Sequence, residues 1–345
     1  MNIQTLGIDL GKDTFHVVGL DAQGRPVLRR RFSRTQLRRW TANLPPCLIG
    51  MEACGGAHHL GHGLASYGHT VRLMPAQYVK PYLKTNKSDF LDAEAIAEAV
   101  TRPSMRFVPL KTVVQQELQA QHRLRSLGVR QRTATVNQAR ALLLEQGLTI
   151  PKMIGNFRRQ LPRILEDAEN GLSPCLRALV ADLFQQVREF DARIDRLTQD
   201  LTARAQTEPA CQRLMTVPGI GPLIATAMVA AVGNGQGFRR GRHFAAWLGL
   251  VPRQYSTGGK PKLLGISKRG NRYLRMLLVH GARSVLRRAP QRQDELGHWL
   301  QRLSTHAHPN VVTVALANKT ARVAWAVLTG ESPWCAQRAA ASCAL

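Results

Sequence analysis

Near the start of the chain, apolar and polar residues alternate in short runs. Residues 3–9, 14–20 and 27–32 predict three consecutive strands, with Gly11 and Gly24 in the turns between them. The period then lengthens. Residues 35–44 predict a helix that Pro45 and Pro46 end, 47–51 a short apolar strand, 58–67 a helix, 70–74 a strand and 89–100 a helix. Three meandering strands followed by strand and helix in alternation predict an α/β domain, a mixed sheet with helices on its faces.

The remainder reads as helical. Residues 111–147, rich in Arg and Gln and broken only by Gly128, predict one long helix, and 151–173 a loop-rich connection. Leu176, Leu179, Leu183, Val187, Phe190, Ile194, Leu197 and Leu201 recur at spacings of three and four, which is a heptad seam. The two long helices together predict an antiparallel arm or a coiled coil that pairs protomers. The run VPGIGP at 217–222 introduces an apolar helix at 223–232. Helix, glycine turn and helix in this form are the helix-hairpin-helix pattern, whose turn amides around Gly219 and Gly221 can hold a phosphate. Glycines that only tighten the turn are the plain alternative. Helices at 273–287 and 310–328 close a mainly α-helical C-terminal domain. The expected division is 1–105, 106–207, 208–335 and a tail at 336–345.

Composition narrows the partners. The chain has 345 residues, 44% of them hydrophobic, enough for two or three packed domains. Its 48 Lys and Arg against 22 Asp and Glu leave a formal charge of +26, a field that attracts nucleic acid. A membrane is not expected: the most apolar helical stretch, 311–328, is interrupted by Asn318, Lys319 and Arg322. The N-terminus runs directly into a strand pattern without a basic segment and apolar run, so a cytoplasmic, nucleoid-associated protein is expected. Six scattered cysteines with no CxxC pair argue against both disulfides and zinc.

The charge is unevenly laid out. Between Glu208 and Asp294 there is no Asp or Glu, whereas thirteen Lys and Arg fall between Arg239 and Arg288. Hard divalent cations need carboxylate oxygens, so this stretch cannot hold Mg²⁺ by itself. It can neutralise many phosphates, with a steep salt dependence.

Carboxylates gather in the first hundred residues. Asp9 ends an apolar strand and is followed by Gly11; Glu52 ends another and is followed by Gly55 and Gly56. Asp89 and Asp92 are three apart at the start of a helix and project to one side. Four acids from two strand ends and one helix suit a two-metal phosphoryl-transfer site holding Mg²⁺ or Mn²⁺. Taken singly each has a plainer role: turn acid, loop acid, helix N-cap, first-turn acid favoured by the macrodipole.

Inside the acid-free stretch, residues 249–260 read as a turn-rich segment. Ser256 sits there among Arg253, Lys260 and other cations, beside Gly258 and Gly259. A serine attacking a phosphodiester needs positive surroundings for the developing charge, although Ser-Thr-Gly-Gly is also a commonplace loop. Residues 265–275, with Lys268, Arg269, Arg272 and Arg275, read as a basic turn entering a helix, suited to a nucleic-acid backbone.

These blocks together, GIDLGKDTFHV, the Glu52 strand end, KSDFLDAEAIAEAV, VPGIGPLIATAMVAAVG, GLVPRQYSTGGKPKLLGISKRGNRYLRMLLVHGA and ANKTARVAWAVL, resemble the DEDD transposases of the insertion sequence 110 family, in order and over nearly the whole chain. The resemblance implies an N-terminal RuvC-like, RNase H-type metal domain. It implies an Asp-Glu-Asp-Asp site at Asp9, Glu52, Asp89 and Asp92, and a C-terminal transposase domain whose serine, Ser256 here, attacks DNA. Thr257 is the reserve nucleophile, because the family block often has two serines before Gly-Gly. It further implies donor and target DNA, a structured guide RNA, and a homo-oligomer (dimer or tetramer) with composite active sites. Two other readings stay open: a metal-dependent junction nuclease using the same acids with water, and a non-enzymatic basic scaffold.

Overall fold

The computed structural model describes residues 2–83 and 88–335. The expected tail, with Cys343, and Lys87 of the acidic motif lie outside the described residues. The chain divides into two compact units, Met1–Thr112 and Val113–Leu345.

The first unit runs β1 (Thr5–Leu10), β2 (Thr14–Leu20), β3 (Pro26–Ser33), α1 (Arg34–Ala42), β4 (Leu48–Glu52), α2 (Ala57–Ser66), β5 (Thr70–Met74), α3 (Ala76–Val79) and α4 (Asp89–Val100). Its sheet has the order β3-β2-β1-β4-β5. The first three strands are antiparallel hairpins, and β4 and β5 add parallel to β1. Alternation along each strand divides the side chains between two layers. Leu6, Ile8, Phe15, Val17, Ile49 and Met51 face α1 and α2, where they bury Leu37, Leu60 and Leu64. The opposite face carries Gly7, Val18 and Gly50 and receives α4 through Ala93, Ile96, Ala97 and Val100.

Two glycines set how closely that helix lies. A Cβ on Gly7 would stand 2.0 Å from the Ala93 carbonyl oxygen, and one on Gly50 would stand 2.8 Å from the Val100 Cβ. Gly7 and Gly50 are partners in the parallel pairing of β1 and β4. They form a shallow trough across both strands, and the alanine-rich side of α4 fills it.

Among its described residues the second unit is helical apart from one ribbon. It contains α5 (Val113–Leu144), α6 (Ile154–Glu166), α7 (Pro174–Thr207), α8 (Pro209–Met215), α9 (Pro222–Val232), α10 (Gly241–Trp247), β6 (Pro252–Thr257), β7 (Lys260–Ile266), α11 (Arg272–Arg287), α12 (Glu295–His306) and α13 (Pro309–Gly330). Helices α5 and α7 run antiparallel, since Arg125 donates to Thr198 and Arg132 to Asp191 along their length. The seam on α7 is narrower than the sequence pattern. Val180, Val187, Ile194 and Leu201, seven apart, are buried, whereas Leu179 is 55% exposed.

Residues 151–173 are not the loop-rich connection that the sequence predicts. They contain α6, whose Phe157 and Leu161, one turn apart, are buried in a cluster with Val180 and Val187. Pro162 is accommodated within this helix. Helices α8 and α10, seven residues each, are too short to show a period. Helix α13 is long and apolar enough to cross a membrane, yet half of it is buried. Val312, Leu316, Ala321 and Ala324 join the core that α9 and α11 share, as the sequence predicts for a packed helix.

Candidate active site

Asp9 lies one residue from the end of β1 and Glu52 is the last residue of β4. Because β1 and β4 are parallel and paired up to Ile8 and Met51, these two acids emerge side by side. Each follows its glycine by two positions and so points to the same face, the one that α4 covers. Helix α4 begins at Asp89, with Asp92 in its first turn. Seated by Gly7 and Gly50, it delivers both acids to the strand ends.

The electrostatics report the convergence. Burial pushes the Glu52 carboxyl above its ordinary range, and the charges of Asp9 and Asp92 push it further. Cys54 is raised by burial and then by Glu52 and Asp9. Ligand atoms of Asp9 and Asp89 come within 4.8 Å of each other, together with a nitrogen of His16. All four acids singled out in the sequence therefore meet at one place.

His16 is the member that the sequence reading missed. In the β1–β2 hairpin it is the register partner of Asp9. Its Nδ1 lies 3.6 Å from Asp89 Oδ2, and its ring meets Phe90 edge-on at 4.9 Å between centroids. The signal was present: with the turn around Gly11, the strand register pairs residues whose numbers sum to those of Asp9 and His16. Hard carboxylate oxygens clustered tightly enough to raise one member's pKa fit a divalent cation of the magnesium type, and an imidazole is a tolerable neighbour or ligand.

The serine region is a β-ribbon rather than a loose turn. Strands β6 and β7 pair antiparallel across Gly258 and Gly259, with φ of +57° and +74°. A two-residue turn with both φ positive matches the twist of a hairpin and calls for glycine. Every residue of β6 is exposed. Alternation separates the two candidate hydroxyls. Thr257 pairs with Lys260 and Tyr255 with Lys262, on one face of the ribbon, and Arg253 lies where the register shifts between Pro252 and Gln254. Ser256 pairs with Pro261 on the other face, where Gln254 Nε2 donates to its Oγ at 2.9 Å. By this pairing Lys260 and Lys262 belong to the face opposite that of Ser256.

The other expected phosphate contacts divide as well. Lys268, Arg269 and Arg272 are exposed. Arg275 is half-buried, and its Nη1 donates to the carbonyls of Leu248 and Arg269 at 2.7 and 3.0 Å, so this guanidinium braces the turn. Gly219 has φ +87° and stands against Gly281 of α11, where a Cβ would meet the carbonyl oxygen at 3.0 Å. It therefore has a packing reason to be glycine. Gly221 precedes α9 with open space around it.

Beneath this block lies a polar lock. His122 of α5 is buried, with Nδ1 3.0 Å from the Tyr273 hydroxyl and Nε2 3.0 Å from Thr226 Oγ1. It ties α5, α9 and α11 together, and burial, aided by the Arg125 charge, lowers its pKa to about 4.

Comparison with known proteins gives the family. Residues 6–147 match a model described as a transposase, and residues 211–296 match one described as transposase IS116/IS110/IS902 family. The "Probable family 20 transposase" of Pseudomonas aeruginosa is 47% identical over 333 residues, covering 96% of this chain and 98% of that protein. The transposase for insertion sequence element IS1328 of Yersinia enterocolitica is 44% identical over 328 residues, 95% and 97% of the two chains. The transposase for insertion sequence element IS1111A of Coxiella burnetii is 42% identical over 333 residues, 96% and 92%. With relatives of this identity along nearly its full length, the chain belongs to the IS110/IS116/IS902 family of insertion-sequence transposases.

Proposed function

We propose that the chain cuts and rejoins DNA through a covalent seryl-DNA intermediate, with Asp9, Glu52, Asp89 and Asp92 holding divalent metal at the scissile phosphate. The carrying observation is the meeting of the four acids where β1 and β4 end and α4 begins. A magnesium or manganese ion bound there supplies charge neutralisation for the phosphate. Ser256 Oγ forms a bond to phosphorus, and one deoxyribose oxygen leaves as a hydroxyl. The hydroxyl of a free DNA end then displaces the serine, so that one phosphodiester is exchanged for another. Lys268, Arg269 and Arg272 hold the backbone in register. A RuvC-like ancestry of the first unit is supported by its β3-β2-β1-β4-β5 order with three antiparallel strands and two parallel ones. A structured guide RNA, donor and target DNA as partners, and assembly into a homo-oligomer through α5 and α7, belong to the same reading.

The decisive experiment traps a protein–DNA adduct on a DNA substrate carrying the element's ends. The adduct is expected from the unaltered chain and from Thr257→Ala and is absent in Ser256→Ala; recombination by Ser256→Ala overturns the assignment. One observation favours a second reading, hydrolysis by water at the same acids: Ser256 lies on the ribbon face away from Lys260 and Lys262. That reading gives metal-dependent nicking without an adduct and indifference to Ser256→Ala.

A further inference from the structure

Within the C-terminal unit a groove of about 960 Å³ opens beside α13, at the upper end of the roughly 300–1,000 Å³ typical of ligand sites. Arg240 and Arg242, at the start of α10, line it together with Lys319 and Arg322 of α13. Lys319 and Arg322 are three apart and share one side of their helix. The two helices approach closely at Gly241, where a Cβ would stand 3.1 Å from the Arg322 carbonyl oxygen and 3.2 Å from the Trp325 ring. Among the described residues that line the groove none is acidic, while Arg240, Arg242 and Arg322 give it a cationic lining.

Aromatic surface lies between these charges. Trp299 and Trp334 line the same groove, and the Lys319 ammonium sits 5.2 Å over the Trp299 ring. Trp325 forms a fixed wall, its indole N–H donating to the carbonyls of Gly235 and Phe238 at 3.1 and 3.2 Å. Trp334 is anchored through its backbone N–H, which donates to Thr216 Oγ1 at 2.8 Å. Three guanidinium groups call for a run of negative charge. Ring faces interleaved with them call for flat π-surfaces at the same spacing. A duplex offers the charges but hides its bases in the stack, whereas an unpaired strand offers both.

We propose that this groove binds a single-stranded stretch of nucleic acid, with phosphates on Arg240, Arg242 and Arg322 and a base stacked on Trp334. The proposal rests on the chain being a nucleic-acid enzyme and is independent of the chemistry at Ser256. Most of the groove lies C-terminal to residue 296, beyond both family-matched segments.

The test is fluorescence anisotropy on the full chain over a range of salt, with three labelled probes: oligo-dT, oligo-rU and a blunt DNA duplex. Arg242→Ala combined with Arg322→Ala is expected to weaken single-strand binding and to lower the slope of log K against log salt by about 1.4, two phosphate contacts at about 0.7 each. Duplex binding stays as it was. Trp334→Ala weakens single-strand binding on the order of tenfold, and Trp334→Phe restores most of it. The probe that loses more identifies the occupant as DNA or RNA. Equal losses for duplex and single strands overturn the proposal, because they mark a general cationic surface. Unchanged single-strand affinity and slope in the double-arginine variant overturn it too. Both arginines are exposed, so this arm stands even if Trp334→Ala does not fold. Failure of the unaltered chain to bind any of the probes would sink the enzyme reading itself.

Discussion

Gly7 of β1 and Gly50 of β4 are register partners, and each stands two residues before an acid of the candidate site. The same trough that seats α4 therefore aligns Asp9 and Glu52 with Asp89 and Asp92. Gly7→Ala places a methyl group 2.0 Å from a backbone carbonyl of α4, which a side-chain rotation cannot relieve. Overpacking of this kind costs about 1–3 kcal/mol. Thermal unfolding should show that loss, and divalent-ion binding followed by manganese resonance should weaken because α4 is lifted. Gly63→Ala, in a helix with nothing near its Cβ, is the control and should leave ion binding as it is.

His16 lies 3.6 Å from Asp89 Oδ2 and is the strand partner of Asp9, so it neighbours two acids at once. Outer partners of metal ligands typically contribute 10- to 100-fold to affinity. His16→Phe keeps the aromatic contact with Phe90 but removes the ring nitrogens, and it should lower manganese affinity by about that factor with little change in unfolding temperature. Unaltered affinity would leave His16 a packing residue alone.

Much of this first unit was legible in the sequence, because period-two strands, glycine turns and an acid at each strand end are local signals. The helix start at Asp89 and the packed nature of α13 were legible for the same reason. His16 needed the pairing register, and the seating of α4 needed the coincidence of two glycines 43 positions apart, neither of which a local period reveals. The β6–β7 ribbon was hidden differently. Both of its faces are exposed, so no apolar alternation marks it, and only Gly258 and Gly259 signalled a turn. Helix α6 was obscured by Pro162 within an otherwise amphipathic pattern.

Like charges strain the acid cluster when metal is absent. Burial and the charges of Asp9 and Asp92 raise the Glu52 pKa, so its penalty is full above the folded-state value and disappears as pH falls below the ordinary carboxylate range. Glu52→Gln should therefore stabilise the metal-free protein near pH 7, by an amount that solvent screening keeps small. Added Mg²⁺ should stabilise the unaltered chain more than this variant. Denaturant melts with and without chelator, at pH 7 and near pH 4, check both signs.

His122 carries the opposite linkage. It is neutral in its lock between Tyr273 and Thr226, with a pKa of about 4, whereas the unfolded chain takes up the proton near the ordinary histidine value. Stability is thus whole above pH 6.5 and falls progressively as pH drops towards 4, by up to about 3 kcal/mol from this group. His122→Gln, which can bridge the two hydroxyls only imperfectly, should be less stable at pH 7 and should show a flatter decline between those limits. A decline as steep as in the unaltered chain would assign the acid sensitivity elsewhere.

The two faces of the β6–β7 ribbon should separate binding from chemistry. Lys260 and Lys262 lie with Tyr255 and Thr257, and Ser256 lies with Gln254 behind them. A two-stranded ribbon exposed on both sides is marginal alone in water and is of a size that enters the major groove. If the cationic face meets duplex phosphates, Lys260→Ala with Lys262→Ala lowers the slope of log K against log salt by about 1.8, two contacts at about 0.9 each. Gln254→Ala, on the serine face, removes the donor to Ser256 Oγ and should leave that slope unchanged while altering the rate of strand cleavage. A slope that responds to Gln254→Ala and not to the lysines would mean that the DNA approaches from the serine face, and the cations would then need another partner.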